Sequence, residues 1–256
     1  MQLDRLPAVA LLALVGTGCS AASRYDPFLI PAEELYQSVE IIVVTPVHVA
    51  AEVELHEDAL ASVDSLVDAA LRSAEFSVIP ARQYAEIWDR IVLELGGLFD
   101  PHTGERDELK FQDAREQLVG ELEERFDPGA LLYLEIVEVD APFADGVARW
   151  DGTVQAVTPF GLRVLDAVGA ALIDTQGFLP EGTVRALSLE LIIEDMSGAE
   201  LYVNFGGMQV LETIGEGIGE RTPVPASELC ADQQRNRKAV EIALAPLKRE
   251  RPGKDR

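Results

Sequence analysis

The chain has 256 residues, of which 48% are hydrophobic and 26% are charged. This balance is typical of a globular protein and excludes an intrinsically disordered one. The net charge of −24, from 45 acidic and 21 basic residues, repels phosphate groups, so nucleic acid is not an expected partner. A negative field of this size favours solubility over a specific acidic recognition surface.

The first twenty residues have the organisation of an export signal. Arg5 precedes an apolar run over residues 6–15, which is too short to span a membrane. The next residues, Gly16-Thr17-Gly18-Cys19-Ser20, resemble the lipobox of bacterial lipoproteins, in which small residues precede a cysteine. The resemblance implies a signal peptide over residues 1–18, cleavage before Cys19 and acylation of that cysteine.

The chain has two cysteines, and they are not expected to form an internal disulfide. Cys19 is acylated in the lipoprotein interpretation, and it is removed if an ordinary signal peptide is cut near Ala21 or Ala22. Cys230 has no partner within the chain in either case. The fold therefore depends on its hydrophobic core, and Cys230 is expected to be buried.

The first half of the mature chain alternates strands and helices after a tether over residues 19–38. Residues 39–45 are β-branched and apolar on both faces, as expected of a strand buried within a sheet. Residues 76–80 form a shorter apolar run closed by proline. Apolar positions at helical spacing predict three helices, over residues 57–75, 84–95 and 107–126.

The second half is predicted to consist mainly of strands. The turn Asp195-Met196-Ser197-Gly198 joins the last two of them as an antiparallel hairpin. Residues 206–221 are rich in glycine and are expected to form a loose connection with at most a short strand. The four strands are predicted over residues 130–139, 147–157, 184–195 and 199–205, and a C-terminal helix over about 226–248.

Residues 39–248 are therefore predicted to form a single α/β domain, with a mixed sheet flanked by helices and an antiparallel meander in its second half. A basic tail follows at 249–256. A helical insertion at 158–182 interrupts the meander, and it can cover the sheet or carry a binding surface without disturbing the core. The residues proposed for partner binding are Phe160, Leu162, Leu165, Phe178 and Leu179.

The sequence contains no recognised catalytic or metal-binding motif. Gly-x-Ser-x-Gly, the Walker loop and Gly-x-Gly-x-x-Gly are all absent. His48 and His56 flank a short irregular stretch beside several carboxylates, but their spacing matches no zinc motif. We expect no enzyme activity, no metal and no cofactor.

The order of elements and several short motifs resemble the outer-membrane lipoproteins related to the curli-secretion lipoprotein CsgG and the penicillin-binding-protein activator LpoB. The motifs are Thr45-Pro46, Phe76-Ser77-Val78-Ile79-Pro80, Gly129-Ala130-Leu131-Leu132 and the turn at Asp195. The resemblance implies a protein that binds and organises envelope proteins, and it leaves a homo-oligomer open. Because long amphipathic strand pairs and a long linker are both missing, neither pore formation nor synthase activation is expected.

The predicted function is that of a non-catalytic envelope lipoprotein. Lipid on Cys19 would hold it at the outer membrane, facing the periplasm, where it would act through protein contacts in assembly or secretion. The alternatives are a periplasmic small-ligand-binding protein and a cell-wall hydrolase. A deep polar pocket lined by His48, His56 and acidic side chains would favour these alternatives.

Overall fold

The structure is a computed structural model that describes residues 25–158, 181–215 and 220–248. They form one α/β domain with a curled mixed sheet flanked by helices, which confirms the predicted fold class. Several predicted features lie outside the described residues: the signal peptide, Cys19 with its predicted acylation, the five residues proposed for partner binding in the insertion, and the basic tail.

The described residues contain ten strands, eight of them in one sheet. The last two, β9 and β10, form a separate antiparallel pair. In chain order the strands are β1 (Ile41–Val44), β2 (His48–Val49), β3 (Ser77–Ile79), β4 (Ala130–Ala144), β5 (Val147–Trp150), β6 (Thr153–Ala156), β7 (Gly182–Asp195), β8 (Glu200–Val210), β9 (Glu212–Ile214) and β10 (Arg221–Pro223).

The sheet is built around β4. One edge of β4 pairs in parallel with β1 and β2 and then antiparallel with β5, whereas its other edge pairs antiparallel with β7 along almost its whole length. β8 continues the sheet beyond β7. The β5–β6 hairpin bends back onto β8, where the Thr153 hydroxyl donates to the Gly207 carbonyl at 2.7 Å. The sheet therefore curls around a small second core that includes Phe143 and Trp150.

Helices cover both faces of the flatter half of the sheet. Leu132, Leu134 and Leu189 point toward the helices at Glu57–Ser73 (α2) and Gln233–Leu244 (α5). On the other face, Val43 and Leu131 point toward the helices at Ala81–Glu94 (α3) and Glu108–Phe126 (α4). The spacing of apolar residues predicted this layering, because each helix buries one stripe. The helices are α1 (Ala32–Ser38), α2 (Glu57–Ser73), α3 (Ala81–Glu94), α4 (Glu108–Phe126) and α5 (Gln233–Leu244).

Local signals fix where α4 and α5 begin. The Asp107 carboxylate accepts a hydrogen bond from the Lys110 amide, and the Asp232 carboxylate accepts from the amides of Gln234 and Arg235. These side chains satisfy backbone donors that the first helical turn leaves unpaired. The C-terminal helix therefore starts at Gln233, seven residues later than the sequence predicted, and it ends before the proline of the following short 3-10 turn.

Residues 147–157 do not form the single strand that the sequence predicted. They form the β5–β6 hairpin, because Asp151 and Gly152 adopt left-handed conformations with φ of 38° and 72°. Two consecutive residues with positive φ make the tight turn that matches the twist of antiparallel strands. The Asp-Gly pair is the sequence signal for this turn. The sequence nevertheless predicted one continuous strand, because apolar residues lie on both sides of the pair.

The glycine-rich segment after residue 205 is also more ordered than expected. Gly206 and Gly207 belong to β8, and the chain pairs with β7 as far as Val210. A Cβ atom on Gly206 would lie 2.0 Å from the carbonyl oxygen of Ala239 in α5. The glycine is therefore needed for the close approach of strand and helix backbones, not for flexibility.

The N-terminal segment packs on the domain from Tyr25 onward, so the tether predicted over residues 19–38 does not extend through the described part of that range. The Val203 amide donates to the Pro27 carbonyl at 2.9 Å, and the Leu29 amide donates to the Leu201 carbonyl at 3.0 Å. Leu35 in α1 is fully buried. None of the helices in the described residues is long and apolar enough to cross a membrane.

Candidate functional site

A cleft of about 720 Å³ lies between the α3–α4 pair and the sheet. Its floor comes from one face of β4 and β7, on which Tyr133 lies opposite Ile192 and Glu135 lies opposite Glu190. The helices cover the beginning of β4 but leave these positions partly accessible. The size of the cleft falls in the range of small-molecule and side-chain binding sites.

Aromatic side chains form one wall of the cleft. Tyr84 and Trp88 project from α3 and Phe111 projects from α4. The rings of Trp88 and Phe111 meet edge to face with centroids 6.0 Å apart, and the Arg106 guanidinium lies 4.4 Å from the Phe111 centroid. Burial raises the pKa of Tyr84 to about 12, so its hydroxyl is neutral at physiological pH. The wall therefore presents both ring faces and polar tips.

An arginine and a glutamate occupy the end of the cleft near the β7–β8 turn. Arg115 Nη2 lies 3.7 Å from Glu194 Oε2, and that oxygen is shielded from solvent while accepting no hydrogen bond from the described residues. Burial raises the pKa of the Glu194 carboxyl, and the Arg115 charge acts in the opposite direction. Among the described residues, this oxygen thus has the Arg115 charge nearby but no hydrogen-bond donor.

Two further carboxylates lie in the middle of the floor. Glu135 and Glu190 are direct cross-strand neighbours on the same face of the sheet. The basic side chain next to Glu135 is His48, whose Nε2 lies 3.8 Å from Glu135 Oε1 and which is 74% exposed. Burial, and then the charges of Glu135 and Glu200, raise the pKa of Glu190. In the part of the chain that the structure describes, these like charges therefore lie side by side without an ion pair to a lysine or arginine.

The polar surface continues beyond the floor toward the N-terminal segment. The Ser188 hydroxyl donates to Asp151 Oδ2 at 2.5 Å, and the Tyr25 hydroxyl donates to the Val203 carbonyl at 2.6 Å. Burial raises the pKa of Tyr25, and the nearby charges of Glu190 and Asp151 add to that effect. Tyr25, the first residue that the structure describes, therefore lies within the field of Glu190 on the cleft floor.

The structure separates the two histidines that the sequence placed near one another. His48 lines the cleft, whereas His56 lines a different cavity of about 340 Å³ together with Cys230. Cys230 is buried, as expected, and its burial raises the pKa of the thiol to about 11. Across residues 25–158, 181–215 and 220–248, no three side chains of His, Cys, Asp or Glu are arranged to hold a metal ion.

Sequence reasoning identified His48 but missed the rest of the cleft. The signal was present in the apolar run over residues 130–137 of β4, which Tyr133 and Glu135 interrupt at alternate positions, and in β7, where Glu190 and Glu194 lie among apolar residues. Alternation of this kind places polar groups on one face of a buried strand. The alternation alone could not identify a cleft, because the cleft exists only where α3 and α4 leave part of that face uncovered.

Comparison with known proteins gives little further guidance. No family model matches the chain, and no curated protein matches it. The solved lipoprotein GNA1162 from Neisseria meningitidis aligns with 66% of this chain and 81% of its own, at 15% identity and a TM-score of 0.32. The PelC dodecamer from Paraburkholderia phytofirmans aligns with 84% of this chain and 91% of its own, at 10% identity and a TM-score of 0.33. At these scores neither alignment carries an argument about function.

Proposed function

We propose that this protein is a lipid-anchored, non-catalytic protein of the cell envelope that acts by binding an envelope partner, and that the cleft under α3 and α4 is its binding site. The observation that carries the proposal is the cleft itself. It combines an aromatic wall with three carboxylates that outnumber its one arginine, and its size suits a side chain or short segment of a partner.

The packing of the N-terminal segment supports an anchored arrangement. Five residues lie between Cys19 and Tyr25, and a fully extended chain from one to the other spans roughly 20 Å. Acyl chains on Cys19 would therefore hold the Tyr25 end of the domain near the membrane surface. The outer membrane, with the domain facing the periplasm, is the location that the resemblance to the CsgG and LpoB lipoproteins favours.

We further propose that the protein acts in envelope assembly or secretion through protein contacts, and that it self-associates. The insertion containing Phe160, Leu162, Leu165, Phe178 and Leu179 is a second candidate contact. It follows residue 158, only two residues after the end of β6, and it precedes β7, which forms the cleft floor.

A small-ligand-binding protein is the second candidate function. A deep polar pocket lined by both histidines and acidic side chains would favour this role, and the cleft contains His48 and three glutamates but not His56. The aromatic wall and the volume of the cleft favour ligand binding over hydrolysis, because neither feature supplies a nucleophile or an activated water.

Photocrosslinking in intact envelopes tests the proposal. p-Benzoylphenylalanine is introduced at Val119 of α4, which lines the cleft, and separately at Leu93 of α3, which is 79% exposed outside it. We expect a discrete adduct with an envelope protein from position 119 and none of that mass from position 93. Equal adducts from both positions would contradict the proposal, as would turnover of a cell-wall substrate by purified Cys19→Ala protein.

A further inference from the structure

We infer that the cleft binds an organic cation, namely an ammonium or guanidinium group carried on an apolar stem. The inference rests on the proposed binding function and adds the chemistry of the ligand. The lining residues include three carboxylates, Glu135, Glu190 and Glu194, against one arginine, Arg115. The cleft therefore has an excess of negative charge in a partly desolvated setting, where electrostatic attraction is stronger than in water.

The arrangement of the carboxylates indicates where the cation sits. Glu135 and Glu190 face each other across β4 and β7 with no lysine or arginine between them. Like charges in directly opposed positions destabilise a sheet, so the pair has a structural cost that a bound cation would remove. The shielded Oε2 of Glu194 lies 3.7 Å from Arg115 Nη2 but accepts no hydrogen bond from the described residues, so it adds an acceptor along the same floor.

The aromatic wall explains why the cation would be organic and not a metal ion. Tyr84, Trp88, Phe111 and Tyr133 offer apolar area and ring faces, which pack against the apolar stem of an alkylammonium or guanidinium compound. The carboxylates lie in a row along two strands, and the described residues contain no three-ligand cluster for a metal. An apolar stem against the rings and a charged end at Glu135 and Glu190 use both parts of the cleft.

The direct test is calorimetric titration of the exported full-length Cys19→Ala chain with three probes that share one body, 4-phenylbutylammonium, 4-phenylbutanol and 4-phenylbutyrate. We expect saturable binding of the ammonium probe with a dissociation constant of about 1 mM, since the probe is of fragment size. The alcohol should bind about tenfold more weakly, because it lacks the charge-assisted contact. The acid should show no binding.

Matched variants locate the site. Glu135→Gln and Glu190→Gln should each weaken binding of the ammonium probe about tenfold. Glu138→Gln is the control, because Glu138 lies on the same strand, is exposed and pairs with Arg185 at 3.4 Å. It should leave the affinity unchanged. Trp88→Leu should weaken the ammonium and alcohol probes by the same factor, which separates the aromatic contribution from the charge.

The same titration distinguishes the two sources of such a cation. Tighter binding of N-acetyl-lysine amide than of the free amine would assign the cleft to a protein side chain, and the reverse order would assign it to a small molecule. The inference is overturned if the alcohol or the acid binds as tightly as the ammonium probe, if no probe binds, or if both glutamine variants bind it unchanged. Probe binding without any crosslinked partner would contradict the protein-binding role and leave this inference standing.

Discussion

Glu135 and Glu190 lie directly opposite each other on β4 and β7, on the face of the sheet that α3 and α4 leave open. A cross-strand pair of carboxylates is unfavourable by on the order of 0.5 kcal/mol compared with a neutral pair. A domain under selection for stability alone gains nothing from it. Costs of this kind are characteristic of functional sites, where stability and activity conflict.

Glu190→Gln should therefore stabilise the domain at neutral pH while weakening ligand binding. We expect a gain of about 0.5 kcal/mol in the free energy of unfolding by urea denaturation. Glu138→Gln on the same strand removes an exposed ion pair and should give no gain. A loss of stability in Glu190→Gln would show that the carboxylate has a structural partner in the folded protein.

The same carboxyl should leave a signature in the pH dependence of stability. The pKa of Glu190 is raised in the folded state, chiefly by burial, so the native protein binds its proton more tightly than the unfolded chain does. Its contribution to stability is therefore present at low pH and is lost as the pH rises through the folded pKa. The free energy of unfolding, measured by urea denaturation between pH 4 and 8, should decline less with rising pH in Glu190→Gln than in the parent protein. Equal slopes would contradict the assignment.

Gly206→Ala should be strongly destabilising, because its Cβ would collide with the Ala239 carbonyl oxygen at 2.0 Å. We expect a loss of about 3 kcal/mol in the free energy of unfolding, measured by urea denaturation. Gly120→Ala in the exposed middle of α4 is the control, since a Cβ there meets nothing within 4 Å. That change should stabilise the protein by about 1 kcal/mol. Similar effects at both positions would contradict the close packing of β8 and α5.

The N-terminal segment should contribute to folding, not only to anchoring. Leu35→Ala removes a fully buried side chain from α1 and should cost about 3 kcal/mol of unfolding free energy. Leu29→Ala, at a side chain that is 54% exposed, should change it by less than about 0.5 kcal/mol. Equal costs, measured in the same urea titration, would mean that residues 25–38 do not pack on the sheet.

The proposed acylation predicts that one cysteine carries all of the lipid. Metabolic labelling with an alkyne fatty acid should label the parent chain and Cys230→Ala, and it should not label Cys19→Ala. Cys230 is 3% exposed and its burial raises the pKa of its thiol, so it is neither accessible nor reactive. An unlabelled parent chain would favour an ordinary cleaved signal peptide, and label retained in Cys19→Ala would place the modification at another residue.

Local sequence patterns predicted most of the fold, because the helices and strands each bury one regular stripe. The stripe of Val63, Val67 and Leu71 identifies α2, and the Asp195–Gly198 turn identifies the β7–β8 hairpin. The errors arose where tertiary contacts decide the conformation. Gly206 was predicted to lie in a loose connection, because its close contact with α5 cannot be read from the sequence. The cleft likewise depends on how far α3 and α4 extend over β4.

The most direct test of the account combines the two proposals in one measurement. The crosslinker is placed at Val119 in the anchored protein, with and without the double substitution Glu135→Gln/Glu190→Gln, and adducts are compared in intact envelopes. The account predicts a discrete adduct in the parent background and at least a tenfold loss in the double variant, although the variant is folded and membrane-bound. An adduct of unchanged yield in the double variant would contradict the claim that the carboxylates of this cleft bind the partner.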